Sequence, residues 1–237
     1  MITRKFMEKD YLMLNIPCPA VAAAMPDQER ELAILFLDIR NFTGLMEAQS
    51  SQAVIQLVRR LFTAFNQIIK NFQGRVVEIA GDNLYAVFGL QTDLRESANN
   101  AYQAAKTMFQ TIGLFNEGYA EQNLGGPLEV GMGLHAGKAF VGEFGLESPA
   151  CLSVMGLPVN IAARLQAKTK ELNNDLLISE DAYRLIDTRE TSFARQTVSL
   201  QGITSGQQIR LAGKPYHNNR YLTGRQSEVD YLLAISG

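Results

Sequence analysis

The stretch AILFLDIRNFTGLME, residues 33–47, begins as an apolar run and then changes abruptly to polar residues. A short run rich in Ile, Leu and Phe predicts a buried strand over Leu32–Leu37. A carboxylate, Asp38, follows the strand at once. A carboxylate at the end of a buried strand is costly unless it is paired or binds a cation. Asp38 is therefore the first candidate functional residue.

The composition is that of an ordinary globular protein. The chain has 237 residues, enough for one large domain with a full hydrophobic core. Its apolar fraction is 46%, its charged fraction 19% and its net charge −2, with acids and bases interspersed, so no surface for a nucleic-acid polymer is predicted. No apolar run approaches the roughly 20 residues of a membrane helix. The cysteines, Cys18 and Cys151, lie far apart and indicate reduced thiols in a cytoplasmic protein.

Hydrophobic periodicity predicts an α+β fold. After the first strand, apolar residues recur at helical spacing from Val54 to Ile69. Residues 73–90 predict a hairpin with an Ala-Gly-Asp-Asn turn, residues 94–119 a second helix, and residues 127–145 a strand pair with glycines at the bends. The order β-α-β-β-α-β is that of a ferredoxin-like core, to which additional strands and helices are attached.

The additional elements are a short strand, a helix with proline in its first turn, a strand, a short helix and a final strand pair. They occupy residues 151–156, 157–172, 175–179, 180–186, 197–203 and 207–213. Residues 1–30 have no clear period and predict an irregular lead-in. The regular pattern defines a domain over residues 31–212, and residues 213–237 form a C-terminal extension.

This fold brings two carboxylates together. The end of the first strand and the turn of the hairpin lie at one edge of the sheet, so Asp38 and Asp82 are expected to meet. Adjacent carboxylates repel unless they share a proton or a cation, and Mg²⁺ or Mn²⁺ is the natural cation for oxygen ligands. Phe42, Thr43 and Gly44 then open a helix whose first amides favour phosphate. The group predicts a nucleoside triphosphate site. The spacing leaves open that Asp38 merely caps the helix and that Asp82 is an ordinary turn residue.

A second group lies on the helix that contains GLPVNIAARLQ, residues 156–166. Asn160 and Arg164 are four residues apart and share one face of this helix. The arginine can stabilise charge on a transferring phosphoryl group, and the asparagine can orient a ribose. Taken alone, the spacing favours a solvated arginine and an asparagine near the helix start.

The four motifs together resemble the class III nucleotidyl cyclases, the catalytic domains of adenylyl and guanylyl cyclases. The resemblance covers roughly residues 31–212. It rests on the first-strand metal motif, the second-metal hairpin, the glycine-bearing strand pair and the ribose and transition-state helix. These are LFLDIRNFTGLME (35–47), GRVVEIAGDNLYAVFG (74–89), VGMGLHAGKAFVGEFG (130–145) and VMGLPVNIAARL (154–165).

The resemblance implies a head-to-tail homodimer with its sites at the interface. Asp38, Asp82 and the Ile39 carbonyl of one protomer would hold two Mg²⁺ or Mn²⁺ ions, one for the ribose 3′-hydroxyl and one for the triphosphate. From the other protomer, Asn160 would position the ribose and Arg164 would stabilise the transition state. The product would be a 3′,5′-cyclic mononucleotide, with release of pyrophosphate.

The positions that correspond to base recognition favour GTP over ATP. Adenylyl cyclases typically have lysine four residues before the second metal aspartate, whereas this chain has Glu78, as in guanylyl cyclases. A carboxylate accepts from guanine N1–H and the 2-amino group. Ser153 is the partner position, and it does not decide because serine both donates and accepts. Leu157, Pro158 and Gln201 depart from the family pattern, and these departures bear on the rate and not on the chemistry.

Two alternatives stay open at this point. Glu78 can also accept from uracil or cytosine, which would suit a pyrimidine (UTP or CTP) cyclase of an antiphage signalling system. The second alternative is a non-catalytic nucleotide-sensing dimerisation module that keeps the fold for binding alone.

Overall fold

Within residues 27–120, 123–124, 126–144, 151–187 and 193–217, which the computed structural model describes, eight strands form one mixed sheet. The strands are β1 (Gln28–Ile39), β2 (Gly74–Ala80), β3 (Asn83–Phe88), β4 (Val130–Phe144), β5 (Cys151–Met155), β6 (Leu176–Ser179), β7 (Ala194–Val198) and β8 (Gln207–Leu211). The helices are α1 (Phe42–Ala48), α2 (Ser51–Asn71), α3 (Leu94–Phe115), α4 (Leu157–Glu171) and α5 (Glu180–Tyr183). A π-helical turn, Asn116–Ala120, extends α3.

The strand order is β2-β3-β1-β4-β6-β8-β7, and β5 pairs with β4. β4 and β6 are parallel, and all other pairs are antiparallel. The first four strands with α2 and α3 form the predicted βαββαβ core, in which β3 lies between β2 and β1 as expected. The α+β, ferredoxin-like fold class is therefore confirmed, and β5 to β8 with α4 and α5 are the additions.

The two faces of the sheet have different coverings. Alternation along β1 sends Leu37 and Ile39 into the core formed with α2 and α3. Phe36 lies on the opposite face, in a second cluster to which α4 contributes Ala162. By the same alternation Asp38 lies on the α4 face. The candidate site therefore belongs to the face that α4 covers only in part, since α4 packs on β1, β4 and β6.

The predicted strand pair at residues 127–145 is wrong, because β4 is one continuous strand. Its glycines serve close packing and do not form bends. A Cβ atom at Gly133 would come within 2.5 Å of the Ala162 carbonyl oxygen on α4, and one at Gly137 within 2.8 Å of Pro158 Cγ. The α4 backbone at Ala162 and the ring of Pro158 lie so close to β4 that side chains at these strand positions would collide with them.

Several boundaries also differ from the prediction. β1 begins at Gln28 and ends at Ile39, beyond both ends of the predicted strand Leu32–Leu37, because Gln28 already pairs with Val141 of β4. α3 ends at Phe115, and the π-helical turn continues to Ala120. Cys18 and the side chain of Cys151 lie outside what the structure describes. In the described parts of the chain, no helix is both long and apolar enough to cross a membrane.

His135 belongs to the fold and not to the candidate site. It is 3% exposed on β4, and its Nδ1 lies 2.8 Å from Ser179 Oγ. Ser179 in turn caps α5 by accepting from the Ala182 N–H at 3.2 Å. Burial lowers the pKa of His135 to about 4, from the ordinary 6.5.

We expect His135 to make folding pH-dependent. Because the unfolded chain binds a proton here at higher pH than the folded chain, the stability is fully present above about pH 6.5 and is lost as the pH falls towards about 4. The loss should approach about 3 kcal/mol. His135→Asn keeps a polar group near Ser179 but does not titrate. Urea unfolding at both ends of this range should show a smaller pH-dependent loss for the variant, and equal losses would contradict the prediction.

Candidate active site

Asp38 and Asp82 meet at the predicted edge of the sheet. The antiparallel register of β1 and β3 places Asp38 opposite Asn83, directly after the hairpin turn that contains Asp82. The N–H of Ile39 donates to the carbonyl of Asp82 at 3.3 Å and ties the end of β1 to this turn. The two carboxyl groups are close enough to interact electrostatically. Gly81 permits the tight turn, because its φ is +62°.

The electrostatics of this pair are those of a cation site. Burial, and then the charge of Asp38, raise the pKa of Asp82 to about 6 from the ordinary 3.8. Asp38 itself is only 8% exposed. A divalent cation would remove this repulsion.

The ligand set points to Mg²⁺ or Mn²⁺ with a phosphate-bearing substrate. No group of three or more His, Cys, Asp or Glu side chains in the described residues could hold a metal ion. A closed site made of protein ligands alone is therefore not present there. Magnesium is commonly held by one or two carboxylates together with substrate phosphates, and the pair of Asp38 and Asp82 fits that pattern.

Two basic residues approach Asp38, and the sequence analysis missed both. Arg40 Nη1 lies 3.1 Å and Lys170 Nζ 3.8 Å from the same oxygen, Asp38 Oδ2. Arg40 was detectable, since a residue two positions after Asp38 on an extended chain lies on the same face. Lys170 was not, because it comes from the far end of α4 and depends on how that helix crosses the sheet.

The first turn of α1 has no side-chain cap. Asn41 precedes α1 in the left-handed region, with φ 54° and ψ 33°, and its side chain caps no amide of the helix. The side chain instead lies over Gly44, where a Cβ atom would be 2.6 Å from Asn41 Oδ1. Phe42 packs against the core, and Thr43 is exposed. The predicted phosphate-binding residues Phe42, Thr43 and Gly44 form the first turn of α1, which begins four residues after Asp38 in the chain.

Asn160 and Arg164 lie on the exposed side of α4. With Leu157, which is 58% exposed, they form a stripe at helical spacing that faces solvent. Among the described residues, no hydrogen bond or ion pair joins either side chain to Asp38 or Asp82. The structure does not bring these two groups of predicted residues together within one protomer.

Glu78 and Ser153 lie on β2 and β5, which approach each other across the α4 face. Tyr85 lies between them: it is paired with Glu78 in the β2–β3 register, and its hydroxyl donates to the Val154 carbonyl at 3.5 Å. Burial, and then the charge of Glu78, raise the pKa of Tyr85. The Glu78 side chain is exposed and Ser153 is half-buried. The two predicted base-recognition residues therefore border one region.

Comparison with known proteins agrees with this geometry. The protein-family model of the adenylate and guanylate cyclase catalytic domain matches residues 25–213 of this chain. Adenylate cyclase 1 of Rhizobium meliloti is 26% identical over 151 residues, which are 63% of this chain and 22% of that protein. The chain thus spans about a fifth of the length of that curated relative.

Two solved structures have the same fold. The adenylyl cyclase CyaB from P. aeruginosa has a TM-score of 0.70 at 23% identity, with 82% of this chain and 99% of that chain covered. The guanylyl cyclase Cya2 has a TM-score of 0.71 at 25% identity, with 82% and 98% covered. One is named for adenylyl and the other for guanylyl activity, so the fold alone does not select the base. This chain belongs to the family of adenylate and guanylate cyclase catalytic domains.

Proposed function

We propose that the chain is a nucleotidyl cyclase that converts a nucleoside triphosphate to a 3′,5′-cyclic mononucleotide and pyrophosphate, with GTP favoured over ATP. The observation that carries the proposal is the pair Asp38 and Asp82, held together at the sheet edge although burial and repulsion oppose it. A pair of this kind is stabilised by divalent cations. The proposed ligands are Asp38, Asp82 and the Ile39 carbonyl, for two Mg²⁺ or Mn²⁺ ions. When bound, such ions would supply Lewis-acid activation and charge neutralisation.

The chain's own groups then have distinct tasks. The first turn of α1, at Phe42, Thr43 and Gly44, has no side-chain cap and would bind the triphosphate through its N–H groups. Asn160 would orient the ribose, and Arg164 would bind the charge that develops on the α-phosphate. The 3′-oxygen forms a bond to the α-phosphorus, and the bond from that phosphorus to the bridging oxygen breaks. Pyrophosphate leaves with the bonding electrons, and the hydroxyl proton passes to solvent.

A homodimer would complete the site. Asn160 and Arg164 are exposed and make no hydrogen bond or ion pair to Asp38 or Asp82 within the described residues, so they would be available to a partner's triphosphate. Three exposed apolar side chains lie near them: Phe140 and Met155, which pair across β4 and β5, and Leu157 at the start of α4. Apolar groups exposed together favour burial against a second protein surface. We propose that this surface is a second copy of the chain.

The base preference rests on Glu78 and Ser153. An exposed carboxylate at the edge strand β2 can accept from the N1–H and 2-amino groups of guanine. For adenine, the carboxylate would face the N1 lone pair and be repelled. Ser153 can adapt to either base.

Incubation with Mn²⁺ and each of ATP, GTP, CTP and UTP, followed by mass analysis, tests the activity and the base together. Cyclic GMP should dominate. Asp38→Ala should lower turnover by more than about 100-fold, since a direct ligand matters more than the groups that only orient it. Asp187→Ala, at an exposed carboxylate, should be unaffected.

Each other product has a definite meaning. Dominant cyclic AMP would contradict the role of Glu78. Dominant cyclic CMP or UMP would identify the pyrimidine cyclase. Nucleotide binding by a folded dimer without any cyclic product would contradict catalysis and favour the sensing module.

Heterodimers test whether each site uses two protomers. An Asp38→Ala chain paired with an Arg164→Ala chain has one intact site of two, so it should recover about half of the wild-type activity per dimer. The matched control puts both substitutions on one chain and pairs it with wild type, which leaves no intact site. Two differently tagged, co-expressed chains allow each heterodimer to be purified. Activity in the control but not in the first pairing would show that each site lies within one protomer.

Asp82→Asn should show how much the carboxylate pair lowers the free energy of unfolding in the absence of metal. Because the folded pKa of Asp82 is raised, its protonated form stabilises the folded chain below about pH 4, and this stabilisation is lost as the pH rises through about 6. The variant should therefore be about 1 kcal/mol more stable than wild type near pH 8 without metal, a figure reduced for the group's partial exposure. Near pH 4 the two should be equal. Mn²⁺ should raise the melting temperature of wild type near pH 8 and leave the variant unchanged. An equal Mn²⁺ effect on both would contradict Asp82 as a ligand.

A further inference from the structure

Arg40 is a buried guanidinium with a partner on each side. It is 5% exposed, and a buried arginine is tolerated only when its donors are bonded. Nη1 donates to Asp38 Oδ2 at 3.1 Å, Nε donates to the Tyr216 hydroxyl at 3.0 Å, and Nη2 donates to Thr169 Oγ1. Its Cζ also lies 5.1 Å from the centre of the Tyr216 ring. These contacts leave the guanidinium little freedom to rotate.

Thr169 and Gly131 both accommodate the Arg40 side chain: Thr169 accepts a hydrogen bond from it, and Gly131 leaves room for it. Thr169 Oγ1 donates to the Gln166 carbonyl at 2.5 Å, so its lone pairs remain available to Arg40. A Cβ atom at Gly131 of β4 would overlap Arg40 Nη2 and lie 2.6 Å from Thr169 Oγ1. The strand thus provides a gap through which the arginine reaches α4.

Tyr216 comes from a segment beyond the residues that match the family model, which end at 213. It is buried, and burial raises its pKa, so the phenol stays protonated at neutral pH. The segment is fixed by bonds from its backbone N–H groups to side chains of the core. The N–H of Gly213 donates to Asn174 Oδ1 at 3.1 Å, and that of Lys214 to Asp175 Oδ1 at 2.7 Å. The N–H of Tyr216 donates to Asn173 Oδ1 at 3.1 Å, and that of His217 to Glu129 Oε1 at 2.7 Å.

We propose that Tyr216 is a positioning residue for the metal pair: by holding Arg40, it fixes the orientation of the Asp38 carboxylate. Arg40 and Lys170 both approach Oδ2, so Oδ1 is the oxygen without a basic partner among the described residues. A fixed guanidinium therefore sets which oxygen is directed to a cation. This inference rests on the proposed role of Asp38 as a metal ligand.

The test is Mn²⁺ binding to the nucleotide-free protein, measured from the EPR signal of free Mn²⁺. Tyr216→Phe keeps the ring but removes the acceptor of Arg40 Nε, and it should weaken Mn²⁺ affinity by about 10-fold, as for other groups that orient a metal ligand. Thr169→Val, which removes the acceptor of Nη2, should act in the same direction. The matched control is Tyr183→Phe. The Tyr183 ring also stacks on an arginine, with its centre 4.4 Å from Arg210 Cζ, but this pair does not contact Arg40 or Asp38.

Cyclase kinetics supply a second readout. Half-maximal activity of Tyr216→Phe should require about 10-fold more Mn²⁺. Excess Mn²⁺ should restore turnover, and KM for the nucleotide at saturating Mn²⁺ should not change. A purely structural role would lower the metal-free melting temperature without this rescue.

The outcomes separate this inference from the proposed function. Mn²⁺ affinity of Tyr216→Phe equal to that of Tyr183→Phe would overturn the positioning role, even if cyclic nucleotide is made. Wild-type protein that binds no Mn²⁺ would overturn it as well. Mn²⁺ binding that depends on Tyr216 in a protein that makes no cyclic product would support the positioning role and refute the cyclase.

Discussion

The repulsion between Asp38 and Asp82 is the constraint on which the other features of the site depend. The β1–β3 register forces the two carboxylates together, and burial withholds the water that would screen them. The chain offsets this cost only in part, with Arg40 and Lys170 on a single oxygen of Asp38. Asp82 has no basic residue within ion-pair distance in the described residues. Burial, and then the charge of Asp38, raise its pKa, although the charge of Lys170 opposes this. A partly buried pair of carboxylates, one of which has no ion-pair partner among the described residues, is suited to bind a cation.

The close packing of α4 on β4 makes that partial compensation possible. Glycines at 131 and 133 remove the side chains that would hold the helix away from the sheet. Gly133 lets the helix backbone approach, and Gly131 makes room for the Arg40 guanidinium beside Thr169. The same closeness carries Lys170, at the C-terminal end of α4, to the edge where β1 ends. The absence of side chains on one strand thus lets Lys170 of α4 reach the carboxylate pair.

Local periodicity and the order of elements predicted the fold class and the meeting of Asp38 with Asp82, because both follow from alternation and connection rules that act over short distances. Residues 127–145 are predicted as two strands, whereas β4 is one continuous strand, and the difference has a physical cause. Glycine in a strand is typical either of a bend or of close approach by another backbone, and only the position of α4 decides between the two. Arg40 could have been found from its spacing to Asp38. Tyr216 and Lys170 could not, since their proximity to the carboxylates depends on tertiary packing and no local pattern marks it.

The sheet-facing side and the exposed side of α4 have different roles in the proposed site. Thr169 faces the sheet and holds Arg40 beside the carboxylates of its own protomer. Asn160 and Arg164 face outwards and contact neither carboxylate within the described residues. In the proposed dimer, one rigid helix therefore supports the metal pair of its own protomer and supplies ribose and phosphate contacts to the partner's. A shift of α4 along β4 would alter both sites at once. The contact at Gly133 opposes such a shift, because helix backbone packed against strand backbone has no flexible side chain to absorb it.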